Sequence, residues 1–160
     1  MVGIDNSRTS EDRSGATLHA RKAGFPATSQ AAEDYLKTIF LLQAESDVVT
    51  TSAIAERLKV STPSVTAMVK RLAEMSLLRH TPYQGVALTE QGERVALEII
   101  RHHRLLELFL AKVVGLSWDK VHDEAEKLEH VLSDEFEDRI DEVLGFPRSD
   151  PHGDPIPARD

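Results

Sequence analysis

Apolar residues recur at helical spacing in AAEDYLKTIFLLQAE, at Tyr35, Leu36, Ile39, Phe40 and Leu42, and predict a first helix beginning near Ser29. Thr51 or Ser52 can cap a second, TSAIAERLKV, whose Ile54, Ala55 and Leu58 form a stripe for burial. Ser61-Thr62-Pro63 then supplies a cap with proline in the first turn, opening a third helix through PSVTAMVKRLAEMSLL. In LLRHTPYQGVALT two short extended runs flank the turn-prone Pro82-Tyr83-Gln84-Gly85, which predicts a hairpin. Helix, helix and hairpin in that order make a winged helix-turn-helix. Beyond it, Thr89 can cap a long helix from Glu90 to about Val113 that Gly115 would end, and Ser117 can cap another. Ser133 followed by Asp134 and Glu135 reads as a further helix start, running to about Leu144 before Gly145 and Pro147 stop it. The closing RSDPHGDPIPARD is Pro-rich and predicts a loop or linker.

With 160 residues, 41% of them apolar, the chain can bury a real core, and its length suits one domain or two small intimate ones. The polar first segment, up to residue 28, lacks a long apolar run and predicts a flexible tail rather than a signal peptide. No apolar stretch approaches the roughly 20 residues that span a bilayer, so no membrane association is expected. There is no cysteine, which excludes disulfides and thiolate metal ligands and fits a cytoplasmic protein. A net charge of −8 would by itself argue against nucleic acid, but it is unevenly spread. From Thr50 to Arg94 six basic residues face four acidic ones, a net of +2, whereas from Asp119 to Glu142 three face eleven, a net of −8.

That split puts a candidate reader of double-stranded DNA in the first half. A helix-turn-helix places the N-terminus of its second helix in the major groove, where small polar residues approach base edges and phosphates. Ser61, Thr62, Ser64 and Thr66, with Pro63 among them, stand there. Lys70 and Arg71 follow along the same helix, and Arg57 on the supporting helix is a further phosphate candidate. No Arg or Asn offers an evident bidentate base contact, so the operator sequence is not legible.

The acidic half carries different chemistry. Within KVHDEAEKLEHVLSDE, Glu126, Glu129 and His130 stand at i, i+3 and i+4, so two carboxylates and an imidazole share one helix face, with His122 one turn earlier. His103 and Glu107 form a second i, i+4 pair on the preceding helix. Carboxylate and imidazole without sulfur suit Mn²⁺, Fe²⁺ or Zn²⁺, and the share of hard oxygen favours Mn²⁺. A solvated acidic face is the plainer alternative for such a helix. A metalloenzyme is disfavoured, because the chain has no H-E-x-x-H, no Glu-x-x-His pair and no nucleophile with an attendant base.

The segments EDYLKTIFLL, RHHRLLELFL, KVHDEAEKLEHVLSDE and HGDPIP resemble the diphtheria toxin repressor family, including its manganese transport regulator branch, over about Glu33 to Pro157. The resemblance implies a mainly α fold: a winged helix-turn-helix at residues 29–94, an all-helical metal-binding and dimerisation domain at 95–146, and a Pro-rich segment at 147–160. Many members add an SH3-like domain that is not read in this chain, so a two-domain member or a shortened one is expected. The resemblance further implies a primary metal site of Asp34, Glu126, Glu129 and His130 and an ancillary site of His103, Glu107 and His122. Iron-selective relatives carry methionine and cysteine where Asp34 and Glu126 stand, so Mn²⁺ is the favoured effector and Fe²⁺ the alternative. Some manganese regulators carry a carboxylate where Lys37 stands, which sets their binuclear geometry apart. The implied function is that of a homodimeric, metal-dependent transcriptional regulator on a palindromic operator, with no organic substrate. Leu105, Leu108, Phe109 and Trp118 are candidates for the dimer seam or the core. A winged-helix regulator responding to a non-metal ligand is the competing reading.

Overall fold

The computed structural model describes residues 26–159. Residues 1–25, most of the expected tail, lie outside it. Six α-helices and one hairpin follow in the order α1 (Gln30–Glu45), α2 (Thr51–Leu58), α3 (Thr62–Glu74), β1 (Leu78–Thr81), β2 (Gly85–Leu88), α4 (Glu90–Phe109), α5 (Trp118–Leu128) and α6 (Asp134–Leu144). The caps explain most of the boundaries. Ser29 accepts the Ala32 amide at 3.3 Å, Ser61 the Ser64 amide at 3.4 Å, Thr89 the Gly92 amide at 3.1 Å and Ser133 the Phe136 amide at 3.3 Å. Thr50 rather than Thr51 or Ser52 caps α2, accepting from Ala53 at 3.0 Å. Its neighbour Val49 is bridged to Val86, whose amide donates to Val49 O at 2.8 Å, and this fixes where the chain can turn into the helix.

The hairpin is antiparallel, Leu78 facing Leu88 and Thr81 facing Gly85. Gly85 is required there: its φ is +79°, and a Cβ would sit 2.4 Å from Val49 O. Gly92 is required for another reason, since a Cβ would meet Leu77 O at 1.9 Å where α4 crosses the start of the wing. The long helix does not run unbroken to Val113. It ends as α-helix at Phe109 and widens into a π-helical turn, Leu110–Val114, closed by Gly115 at φ +75°.

Two cores share α4. The first gathers Leu36, Ile39, Ile54, Val65, Leu72 and Leu77 with Val95 and Ala96 of α4, and the second gathers Leu105, Leu106 and Leu108 with Val121, Ala125 and Ile140. Leu105 and Leu108 are therefore interior, while Trp118 is 55% exposed. The Pro-rich end has no regular structure but is folded back on the second core. Ile156 is buried, Arg101 donates to Pro157 O at 2.9 Å and Arg104 to Pro155 O. Arg101 also holds α6, donating to Glu137 at 2.6 Å and to Asp141 at 2.5 Å.

Candidate metal centre and DNA-reading face

α1 lies against α4, and α5 packs on the other end of α4. This arrangement brings the N-terminal part of α1 to the C-terminal end of α5, where the chain leaves the helix at Glu129. There Asp34, Glu129 and His130 present ligand atoms within 4.8 Å of one another. His130 Nε2 stands 2.8 Å from Asp34 Oδ1 and 3.6 Å from Glu129 Oε1. Its other nitrogen, Nδ1, is 2.6 Å from Glu33 Oε2, and Glu33 is itself held by the Thr28 hydroxyl, which donates at 2.7 Å. A buried carboxylate on the far nitrogen is the usual device for orienting an imidazole ligand. Glu33 and Glu129 are fully buried, whereas the Asp34 side chain is 47% exposed and opens the cluster to solvent.

The second cluster, His103, Glu107 and His122, joins α4 to α5. Glu107 Oε1 lies 3.0 Å from His103 Nε2 and 3.0 Å from His122 Nδ1. Glu129 touches both clusters, because its Oε2 is 2.5 Å from His103 Nδ1. Lys37, one turn after Asp34, donates to Glu129 Oε1 at 2.9 Å and Oε2 at 3.1 Å. Glu126 is not gathered with Asp34, Glu129 and His130: its exposed side chain turns toward His122, 3.4 Å away. It lines a cavity together with His103, Glu107, His122, Asp150 and His152.

The electrostatics follow from this packing. Burial alone would lower the pKa of His130, but hydrogen bonds to Asp34 and Glu33 and the charges of Asp34 and Glu129 raise it to about 9. Its imidazole therefore holds a proton at neutral pH, and a divalent ion taking Nε2 must displace it. Burial would raise Glu107, yet its bonds to His103 and His122 and their charges pull it down to about 2. Glu129 is likewise pushed up by burial and drawn below its ordinary value by His103 and Lys37. His103 is lowered by burial and by Lys37 but raised on balance by Glu107 and Glu129. Both donor sets, imidazole with carboxylates, suit a borderline or hard divalent cation.

In the DNA-binding half, Ser61, Thr62, Pro63, Ser64, Thr66 and Lys70 are all exposed along the start and outer face of α3. Ser61 and Ser64 share a 2.8 Å hydroxyl contact and Thr66 donates to Thr62 O at 3.1 Å, so these hydroxyls are arranged but solvent-facing. Val65, Val69 and Leu72 bury the inner face of the same helix. Arg71 is half-buried. Arg57 stands apart: it is paired with Glu45 at 2.6 Å and borders the same cavity as Lys37.

Residues 27–86 match the family described as "Iron dependent repressor, N-terminal DNA binding domain", and residues 89–158 match "Iron dependent repressor, metal binding and dimerisation domain". The chain belongs to the iron-dependent repressor family. It is 42% identical over 126 residues to the iron-dependent repressor IdeR of Mycobacterium tuberculosis, and equally to the diphtheria toxin repressor of Corynebacterium glutamicum, covering 79% of this chain and 55% of each relative. The chain thus spans about half the length of the curated relatives it matches. A solved manganese-dependent transcriptional repressor in complex with manganese superposes with a TM-score of 0.75 at 50% identity, over 81% of this chain and 59% of that one. In the terms of this iron-dependent repressor family, the first cluster crosses the two matched regions: Asp34 comes from the DNA-binding match and Glu129 and His130 from the metal-binding match.

Three features of the site carry little sequence signal. Glu33 adjoins Asp34 but reaches the opposite nitrogen of His130. Lys37 forms its main bond with a residue 92 positions away. Asp150 and His152 enter the cavity wall because the C-terminal segment folds back, held by Arg101 and Arg104 and by the buried Ile156.

Proposed function

We propose that this chain is a metal-responsive, DNA-binding transcriptional regulator, with Mn²⁺ or alternatively Fe²⁺ as effector, acting in the cytoplasm as a homodimer on a palindromic operator and not as an enzyme. The observation that supports it most is the junction of Asp34 on α1 with Glu129 and His130 beyond α5, because α1 is also the element on which α2 and β2 of the reading head rest. Asp34, Glu129 and His130, joined by Glu126 once its exposed side chain swings away from His122, would hold the primary ion, and His103, Glu107 and His122 the ancillary one. The bound ion supplies concentrated positive charge that offsets carboxylates otherwise repelling one another. Asp34 ties α1 to the cluster, Glu33 keeps the His130 ring aimed, and α3 presents its hydroxyl-rich N-terminus with Lys70 and Arg71 toward phosphates. Holding α1 fixes how each reading head is carried, which for a two-fold dimer sets the spacing of the two α3 helices. Exposed Val113, Val114 and Trp118, around the π-turn and the start of α5, offer an apolar seam for that dimer.

The test is fluorescence anisotropy of a labelled operator duplex, with the chelated protein titrated with Mn²⁺. An affinity gain of about 5 to 150-fold is expected, the range of ordinary coupling between sites. Equal affinity with and without metal would favour the regulator that responds to something else.

A further inference from the structure

The Lys37 side chain is only 15% exposed, and its ammonium sits on both oxygens of a fully buried carboxylate, Glu129, at 2.9 and 3.1 Å. It also stands 3.5 Å from His103 Nδ1, so it lies at the point where the two clusters meet. Glu129 is the residue they share, 3.6 Å from His130 through Oε1 and 2.5 Å from His103 through Oε2. A buried carboxylate needs a cation, and Lys37 is the lysine that answers that need here. We propose that Lys37 is a resident counter-cation of Glu129 that competes with the divalent effector and sets the metal concentration at which the protein responds; this rests on the metal-responsive reading above. Two effects act in the same direction. With Lys37 in place, the metal-free arrangement has a neutralised Glu129 and is stabilised. An entering divalent ion must then share Glu129 with, or displace, a positive charge held in a poorly solvated site, where like charges interact strongly.

The inference gives opposite signs for two measurements, which a purely structural lysine would not. Lys37→Met removes the charge and keeps most of the chain's bulk. Its metal-free form should melt below wild type, because the buried Glu129 carboxylate keeps only the His103 and His130 imidazoles as partners, while its affinity for Mn²⁺ measured by competition with a fluorescent chelator should rise by ~10-fold or more. Lys37→Arg, which keeps the charge, should stay within about threefold of wild type in affinity. Lys37→Met binding Mn²⁺ no more tightly than wild type, or Lys37→Arg matching Lys37→Met, would overturn the proposal. If Lys37→Met does not fold, the wild-type protein decides: the Lys37 ammonium nitrogen signal in the metal-free protein should be slow to exchange and should move on adding diamagnetic Zn²⁺, and an unmoved signal overturns the competition. Absence of Mn²⁺ binding in wild type would overturn the metal-responsive reading itself, a result distinct from tight wild-type binding that Lys37→Met leaves unchanged.

Discussion

The two carboxylate and imidazole clusters use the same donors but connect different things. His103, Glu107 and His122 join α4 to α5, two helices already packed in one core, so an ion there would reinforce an existing contact. Asp34, Glu129 and His130 join α1 of the first core to the end of α5 on the second. Equal ligand chemistry gives unequal leverage, because only the Asp34, Glu129 and His130 arrangement ties an element of one core to an element of the other. Glu129 touches both sets, so the clusters are adjacent in energy as well as space.

The sharpest way to break this comparison is to remove one imidazole from each cluster. His130→Ala should raise the Mn²⁺ concentration needed for operator binding about 100-fold or more, whereas His122→Ala should shift it less than about 10-fold, both read by anisotropy. Equal effects would erase the distinction drawn here. A control for metal-independent cohesion lies on the other side of α4. Burial would raise the Glu137 pKa, but hydrogen bonds and charges from His102 and Arg101 bring it down to about 2 from 4.5. Its folded value lies below its unfolded one, so its contribution is fully present above about pH 4.5 and is lost as pH falls through about 2. The loss should reach about 3 kcal/mol in urea unfolding between pH 7 and pH 2, and Glu137→Gln should flatten that part of the profile with or without Mn²⁺. The smallest effect is expected from Glu33→Gln, which leaves the ligand atoms and removes only the orienting charge. Mn²⁺ affinity by calorimetry should fall about 10-fold, and the metal-free protein should melt below wild type, because the buried His130 imidazole loses a charged partner.

Much of the architecture was legible from periodicity and caps, because these are local. Ser61-Thr62-Pro63 announces α3, Thr89 announces α4, and Ser133 with two acids announces α6, each through side chains that satisfy amides three residues on. Glu129 and His130 were readable as neighbouring ligands, although both lie just past the end of α5 rather than on its face. What escaped the reading depends on contacts between distant segments. The cap of α2 is shifted to Thr50 by the Val49–Val86 bridge, Gly92 is set by the passing Leu77 backbone, and the C-terminal segment is held by arginines 51 and 56 positions earlier. Spacing also put Glu126 with Glu129 and His130, but α5 ends at Leu128, so helical spacing no longer relates Glu126 to the two residues beyond it, and here Glu126 faces His122, one turn back on the helix. Asp34 belongs to the site only through the packing of α1, which periodicity does not specify and which the family resemblance implies.

The central claim is that a metal-dependent tie between α1 and the end of α5 controls DNA reading, and Asp34→Asn isolates the α1 side of that tie. The substitution changes a half-exposed group outside both cores, so the fold should persist. Operator affinity of wild type and Asp34→Asn, each followed across a Mn²⁺ titration, is the direct measurement. The account predicts that wild type gains affinity with metal while Asp34→Asn stays near the metal-free level at concentrations that saturate wild type. An Asp34→Asn protein that responds with the same midpoint and amplitude as wild type would contradict it.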